Sequence, residues 1–236
     1  MLLQNKHRTH HPRSARRFPL YQAGGKKLVE NQIIDYGLGI EEIALAISVG
    51  DLEKARQIAI ALPKRIKKKK IANAEYAKSS NLENNKARKY TESDLIKLFI
   101  RDRFIDRYTG LRLVIPPSLR VISNIIPEAF PFHPNWAEGK GHDAYWDLSA
   151  TADHIKPVAE NGQDDPDNLV STSMAINLQK NSISLDALGW KLYSPGTDKK
   201  WDGLSRFFVE QCKLHPEWLK NQYFRKWYKA VRETNR

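Results

Sequence analysis

Apolar residues recur at steps of three and four positions between residues 40 and 62. This spacing places them on one face of an α-helix, and Gly50 with Asp51 interrupts the pattern halfway. The sequence therefore predicts two short helices whose shared apolar face is formed by Ile43, Ala44, Ile47, Leu52, Ala55, Ile58, Ala59 and Leu62. Two roles stay open for this helical pair: an interaction or DNA-docking module, and a scaffold that packs on the rest of the chain.

A denser pattern of apolar and aromatic residues begins at Thr91. Thr91 followed by Asp94 is a helix-capping pattern, and it predicts a helix that runs through Ile100. Further apolar segments lie at 111–115 and 119–126, divided by Pro116 and Pro117, and two amphipathic helices are expected at 201–212 and 216–232. The aromatic residues of the last segment are interpreted as core rather than as a surface for stacking bases: Trp218, Tyr223, Phe224, Trp227 and Tyr228.

Between these segments, residues 151–180 combine turn-forming, β-branched and helix-forming sequence. Val158 and Ala159 lead into residues 160–163, which predict the turn of a β-hairpin because Asn161 and Gly162 can adopt positive φ. Residues 169–172 predict its second strand, and Ser173 is a suitable N-cap for a helix over 174–180. Asn177 would then lie about one turn into this helix, with its side chain facing back toward the first strand.

The net charge of the chain indicates its class of partner. The chain has 39 Lys and Arg residues against 27 Asp and Glu, a formal net charge of +12, which attracts polyanions without carrying sequence information. DNA is therefore the expected partner, with RNA as an alternative, and other protein subunits are a further one through the helices of residues 40–62. One basic run consists of Lys64, Arg65, Lys67, Lys68, Lys69 and Lys70. It is predicted to follow the phosphates of a nucleic acid, and the alternative is that it forms a solvated face.

The composition changes near residue 90. Residues 1–90 are expected to hold a basic, flexible leader and a helical extension, and residues 91–236 the main domain with its C-terminal helices. The stretch 71–89 is polar, as is typical of an exposed helix or a linker. No apolar run approaches the ~20 residues of a membrane span, and Cys212 is the single cysteine, so we expect a cytoplasmic protein without a disulfide framework.

The candidate catalytic and metal-binding residues lie in one short stretch of the sequence. Asp153 and His154 place a carboxylate that suits a metal ion beside an imidazole that can act as a general base. The residues that follow in order are Gly162, Asn168, Asn177 and Lys180. This order resembles the active-site motif of HNH endonucleases, specifically over residues 151–180 and more weakly over 99–113.

The resemblance implies an α+β protein in which a ββα-metal unit is embedded among helices. It implies that Asp153 and Asn177 hold one divalent ion, Mg²⁺ or alternatively Mn²⁺, since their oxygens suit hard cations. His154 would take the proton from the attacking water, and Asn168 would support it by hydrogen-bonding the loop backbone. Contacts with nucleic-acid phosphates are expected from the basic run at 64–70 and from Arg101, Lys156 and Lys180.

Many HNH proteins brace this fold with a structural zinc that is held by two pairs of cysteines. At the matching positions this chain has Asp106 and Thr109 for the first pair, and Ser173 and Ile176 for the second. None of the four is a thiol, so a structural Cys₄ zinc is excluded. Apolar packing is expected to replace the metal as the brace.

These patterns predict a metal-dependent endonuclease that hydrolyses phosphodiester bonds in DNA, with bacterial restriction or anti-phage defence as the expected setting. Two alternatives stay open. One is an RNA-directed nuclease, which the same metal ion and base would serve equally well. The other is a non-catalytic nucleic-acid-binding or scaffolding subunit of a larger complex, against which the presence of Asp153, His154 and Asn177 together argues.

Overall fold

The structure is a computed structural model that describes residues 36–62, 90–135, 137 and 139–234. The leader at 1–27, the basic run at 64–70 and the polar stretch at 71–89 lie outside the described residues. The described helices are α1 (Tyr36–Ser48), α2 (Leu52–Ala61), α3 (Glu92–Arg101), α4 (Pro116–Ile125), α5 (Ala144–Leu148), α6 (Met174–Lys180), α7 (Leu185–Leu188), α8 (Ser205–Leu214) and α9 (Gln222–Thr234). Two antiparallel strands, β1 (Ala150–His154) and β2 (Leu169–Ser173), form a small sheet. The fold is α+β, and no helix of the described part has both the length and the apolarity to cross a membrane.

Helices α1 and α2 confirm the periodicity of the first segment. Gly50 separates them with a φ of 79°, a left-handed conformation that favours glycine. Asp51 then caps α2, because its carboxylate accepts the Lys54 amide hydrogen at 3.0 Å. Ile40 and Ile43 are fully buried and belong to the same apolar cluster as side chains of α3, α4, α8 and α9. The helical pair therefore packs on the rest of the described chain, while its role in docking a partner and the domain boundary near residue 90 stay predictions.

Helices α3 and α4 begin where the sequence places suitable N-termini. Thr91 Oγ1 accepts the Asp94 amide hydrogen at 3.2 Å, and the Asp94 carboxylate accepts the Thr91 amide hydrogen at 3.0 Å, so the predicted capping box is present. Pro116 and Pro117, which divide two apolar segments in the sequence, form the first turn of α4. The missing N–H of proline costs nothing there, because the first amides of a helix have no partner within it.

The hairpin differs from its prediction in where the first strand ends. β1 stops at His154, and Val158–Glu160 form a 3₁₀ turn in which Val158 is 44% exposed. The connection is therefore a loop of residues 155–168 rather than a tight turn at 160–163. Asn161 does adopt a positive φ, 63°, and a Cβ on Gly162 would lie 1.9 Å from the Lys156 carbonyl oxygen, so this loop folds closely on itself.

The strand and the helix directly after the loop confirm their predictions, whereas the two C-terminal helices begin later than expected: α8 at Ser205, and α9 at Gln222 after a 3₁₀ turn at Pro216–Lys220. β2 covers the expected strand, and α6 runs over the expected residues from its N-cap, since Ser173 Oγ accepts the Ile176 amide hydrogen at 3.3 Å. At the C-terminus, Phe224 and Trp227 are each 3% exposed, and Trp227 stacks on Phe99 with ring centroids 6.5 Å apart. The aromatic residues of α9 at these positions are core, as interpreted from the sequence.

His142 connects α2 to the segment that leads into the sheet. Its ring stacks on Phe130 with centroids 4.0 Å apart, its Nε2 lies 3.2 Å from the Ala59 carbonyl oxygen, and its Nδ1 accepts the Ala144 amide hydrogen at 3.2 Å. These partners suit a neutral ring that carries its proton on Nε2. Burial accordingly lowers the pKa of His142.

We expect acid to destabilise the protein through His142. Its folded-state pKa lies below the ordinary value of 6.5, so the unfolded chain binds the proton more readily and the free energy of unfolding falls as the pH drops below about 6.5. His142→Phe keeps a stacked ring that cannot titrate, and urea unfolding from neutral to mildly acidic pH should show a weaker acid dependence for it. His215→Phe, which removes a more exposed histidine, should keep the wild-type dependence. Equal dependence for all three proteins would contradict this expectation.

Candidate active site

Helix α6 lies along β1 through two contacts with the carbonyl groups of the strand. Asn177 Nδ2 donates to the Ala152 carbonyl oxygen at 3.2 Å, and Lys180 Nζ donates to the His154 carbonyl oxygen at 2.7 Å. Asn177 and Lys180 are three positions apart and so face the same side of the helix. The side chain of Asn177 thus faces β1, as the sequence predicts.

Asp153 is held by a buried tyrosine and a buried lysine. Its Oδ2 accepts the Tyr108 hydroxyl at 2.7 Å and lies 3.0 Å from Lys180 Nζ. The Asp153 side chain is 11% exposed and that of Lys180 is 1% exposed, so the ammonium balances a carboxylate that is largely removed from water. Burial, and after it the Asp153 charge, raises the pKa of Tyr108, which keeps its hydroxyl protonated as the donor.

His154 faces the opposite side of β1, since successive side chains of a strand point to opposite faces. Its Nε2 lies 3.2 Å from the Tyr90 hydroxyl and 3.0 Å from Asp164 Oδ1. Tyr90 also donates to Asp164, so each of the three side chains contacts the other two. Tyr90 and Asp164 line a cavity of about 330 Å³ between α3 and the hairpin. A carboxylate on one ring nitrogen fixes the orientation of an imidazole.

Asn168 closes the loop that follows His154. Its Oδ1 accepts the Lys156 amide hydrogen at 2.8 Å, and its Nδ2 donates to the carbonyl oxygens of Lys156 and Gln163 at 3.1 and 2.8 Å. These are the backbone hydrogen bonds that the resemblance leads one to expect of this residue. Its effect on catalysis stays a prediction.

The two segments that correspond to the cysteine pairs are joined by the carboxylate of Asp106. Oδ1 accepts the amide hydrogens of Tyr108 and Thr109 at 2.9 and 3.2 Å, and Oδ2 accepts the Thr172 hydroxyl at 3.1 Å and the Ser173 amide hydrogen at 2.9 Å. Asp106 is 1% exposed. Burial raises its pKa, while the donors act in the opposite direction. Phe104, Leu113 and Leu169 belong to one buried apolar cluster, so this hydrogen-bonded carboxylate joins the segments in addition to the apolar packing that was expected.

A second buried carboxylate, Asp102, ties β2 to the end of α3. It accepts the Ser171 amide hydrogen at 2.7 Å, Arg107 Nη1 at 2.7 Å and Arg101 Nε at 3.0 Å. Arg101 also donates to the Leu169 carbonyl oxygen at 2.6 Å. The structure thus uses the Arg101 guanidinium to link α3 to the hairpin, which differs from the phosphate contact expected of it.

The lysines that were expected to contact nucleic acid differ in exposure. Lys156 is exposed two positions after His154, as a phosphate contact requires. Lys180 is fully buried, and its ammonium is occupied by Asp153 and the His154 carbonyl oxygen. This placement corrects the expectation for Lys180, since a buried and paired ammonium positions its neighbours rather than binding phosphate. The basic run at 64–70 lies outside the described residues.

The donors near α6 suit a hard cation in chemistry and number. No group of three or more His, Cys, Asp or Glu side chains in the described part of the chain could hold a metal ion by itself. Mg²⁺ does not need such a cage, because it is usually bound by one or two protein oxygens together with water and substrate phosphate. Asp153 offers a carboxylate, and Asn177, whose Nδ2 is turned to Ala152, offers an amide oxygen. In their chemistry, these two oxygens suit the ion that the resemblance implies.

Three polar residues of this site had no signal in the sequence pattern: Tyr90, Tyr108 and Asp164. Tyr90 is 64 positions from His154, and Tyr108 is 45 positions from Asp153. Asp164 lies in a loop whose Asp-rich sequence indicates only turn chemistry. Of the three, only Tyr108 lies in a segment that resembles the family, the weakly matching residues 99–113, but nothing there marks it as a partner of Asp153.

Comparison with known proteins finds no match for this chain among family models, curated proteins or solved structures.

Proposed function

We propose that this protein is a metal-dependent endonuclease of the HNH type that hydrolyses phosphodiester bonds in DNA. One observation carries the proposal: Asp153 and His154 are neighbours at the end of β1, on its two faces, and Asn177 of α6 lies against the same strand. A carboxylate, an imidazole and an amide oxygen are the groups needed to hold a divalent ion and to remove a proton from water. The net charge of +12 favours a polyanionic substrate.

His154 is the general base in this proposal. The contacts of its Nε2 with Asp164 and Tyr90 hold the ring in one orientation. A base that is already oriented accepts the proton of an attacking water without first losing rotational freedom. Asn168 supports this arrangement from the loop, because its three backbone hydrogen bonds fix the chain directly after His154.

Asp153 and Asn177 would hold the Mg²⁺ or Mn²⁺ ion. When bound, the ion supplies positive charge against the phosphate and the departing oxygen. Tyr108 and Lys180 position the Asp153 carboxylate by hydrogen bond and ion pair. Lys180 also holds the His154 carbonyl oxygen, so a single ammonium fixes both the proposed metal ligand and the backbone of the proposed base.

Plasmid cleavage tests this function. Purified protein should nick or cut supercoiled plasmid when Mg²⁺ or Mn²⁺ is present, and EDTA should stop cleavage without lowering the melting temperature, since the chain lacks the cysteines of a structural zinc site. Single-stranded DNA and an RNA of the same sequence, assayed in parallel, report the preferred nucleic acid. Binding without cleavage of any of these substrates, with either ion, would contradict the proposal and favour a non-catalytic subunit.

Substitution of the proposed ligands should raise the concentration of Mg²⁺ that half-maximal cleavage requires. We expect an increase of at least ~10-fold, which even an outer-sphere partner of a metal can contribute, for both Asp153→Asn and Asn177→Ala. Asp153→Asn should have the larger effect because it also removes a charge. It is preferred to alanine since it keeps a hydrogen-bonding group beside the buried Lys180.

Asp186→Asn on the exposed surface of α7 is the matched control, and its Mg²⁺ requirement should equal that of the wild type. An unchanged requirement in both ligand variants would remove Asp153 and Asn177 from the metal site.

A further inference from the structure

A second cavity lies at the opposite end of β1 from Asp153 and His154. It has a volume of about 390 Å³ and lies between α3, α4, α9 and the start of the strand. Its lining includes one charged side chain, Arg120 of α4, together with aromatic side chains and the hydroxyl-bearing Thr151. A guanidinium among aromatic rings distinguishes this cavity from an ordinary apolar packing defect.

Arg120 has no acidic partner and no hydrogen bond among the described residues. Its Nε is buried and unbonded, and its guanidinium carbon lies 3.5 Å from the ring centroid of Phe132 and 5.9 Å from that of Tyr223. By contrast, Arg107 and Arg112 each pair with carboxylates. A buried donor without an acceptor is unfavourable, and a bound anion would supply the missing acceptor.

The cavity and the proposed metal ligand Asp153 share one strand, β1. Thr151 lines the cavity, and Asp153 is two positions further along the same strand. Residues two apart on a strand share one face and are separated by roughly 7 Å, a distance comparable with that between neighbouring phosphates of a nucleic-acid strand. A strand with one phosphate at Asp153 would therefore present an adjacent phosphate beside Thr151.

We propose that the Arg120 cavity binds a backbone phosphate of the nucleic-acid substrate, next to the phosphate that is cleaved. The guanidinium presents its N–H donors in a planar fork that matches two phosphate oxygens. The aromatic walls exclude water, which strengthens the interaction between the charges, and they offer a surface against which a sugar or base can pack. The proposal rests on the proposed nuclease function, from which it takes the substrate and its direction along β1.

Arg120→Met tests the site, because methionine keeps a long apolar side chain over Phe132 and removes the charge. Binding of a fluorescently labelled duplex and of a labelled single strand is measured by anisotropy at several salt concentrations, without divalent ions so that no cleavage occurs. We expect weaker binding of both probes and a log–log salt slope that is smaller by about one unit, the value for one lost phosphate contact. The melting temperature should stay equal or rise, since an unpaired charge leaves apolar surroundings.

Arg232→Met is the matched control. Arg232 is exposed and lies 5.5 Å from the ring centroid of Tyr228, so its replacement removes the same charge and the same kind of ring contact away from the cavity. Its salt slope should equal that of the wild type. Equal slopes for all three proteins would overturn the proposal, and so would an equal loss in both variants, which would show a general effect of charge.

Three further outcomes are decisive. If Arg120→Met does not fold, Arg120→Lys replaces it. Lysine keeps the charge without the planar fork, so the salt slope should persist while the affinity falls. Unchanged affinity would overturn the proposal.

A site that binds inorganic phosphate or thymidine monophosphate in an Arg120-dependent way, but no oligonucleotide, would also overturn it. If the wild type cleaves nothing yet Arg120→Met loses the contact, the cavity stands and only the nuclease proposal fails.

Discussion

Replacing His154 with alanine should slow DNA cleavage by about 10²- to 10⁴-fold, the usual contribution of a general base. The backbone contact that ties β1 to α6 uses the His154 carbonyl oxygen, which alanine retains, so the strand should stay in place. We therefore expect the variant to bind duplex DNA like the wild type when divalent ions are absent. Single-turnover cleavage at saturating protein measures the effect without interference from product release.

The control for this variant is His215→Ala, which removes a histidine that is 42% exposed and should leave the rate unchanged. Free imidazole should restore part of the activity of His154→Ala, because the space left by the ring can admit a small base. A rate within a few-fold of the wild type would remove His154 from the chemistry. Loss of rate together with loss of DNA binding would instead assign it a structural role.

Replacing Asp106 with alanine should destabilise the fold by about 3 kcal/mol, from roughly 1 kcal/mol for each of its three buried donors, the Tyr108 amide, the Thr172 hydroxyl and the Ser173 amide. This is a large part of the ~5–15 kcal/mol that holds a typical domain together. Alanine removes the acceptor of these three donors in a place that water does not reach, whereas the Thr109 amide keeps its bond to the Asp106 carbonyl oxygen. Urea unfolding of wild type and variant measures the difference.

Two comparisons make this result specific. Asp186→Ala on the exposed surface should change stability by no more than about 0.5 kcal/mol. Asp106→Asn keeps the shape of the side chain but turns an amide donor toward groups that are themselves donors, so we expect it to destabilise nearly as much as alanine. A variant of Asp106 as stable as the wild type would show that the two segments are joined by other contacts, and that apolar packing does serve as the brace.

The sequence predicts those parts of the site that depend on local chemistry. Ser173 sets the start of α6 because its hydroxyl accepts an amide hydrogen within the same turn, and the helical period then turns Asn177 toward β1. The end of β1 escapes prediction because Val158, though apolar, lies exposed in a 3₁₀ turn. An apolar residue after a strand favours its continuation, whereas the folded loop is set by Asn168 and by the close approach of Gly162.

The remaining parts depend on contacts between distant segments. An aspartate in the place of a cysteine is visible in the sequence at Asp106, but its bond to Ser173 spans 67 positions. Tyr90 and Asp164 reach His154 from two separate segments of the chain, and neither is marked by its sequence spacing from His154. Burial also changes the role of a charge, as at Lys180, which the resemblance leads one to expect as a phosphate contact and which the fold places in the interior.

The side chains that build the site also occupy the outer edges of the hairpin. Asn177 and Lys180 bond carbonyl groups of β1, while Asp102 and Asp106 bond amide groups of β2. An open strand edge is a template on which another chain can add a strand, and it is a common start of aggregation. At these positions the template is already filled by side chains of the same molecule. The residues that hold the site together thus also protect the hairpin against self-association by strand pairing.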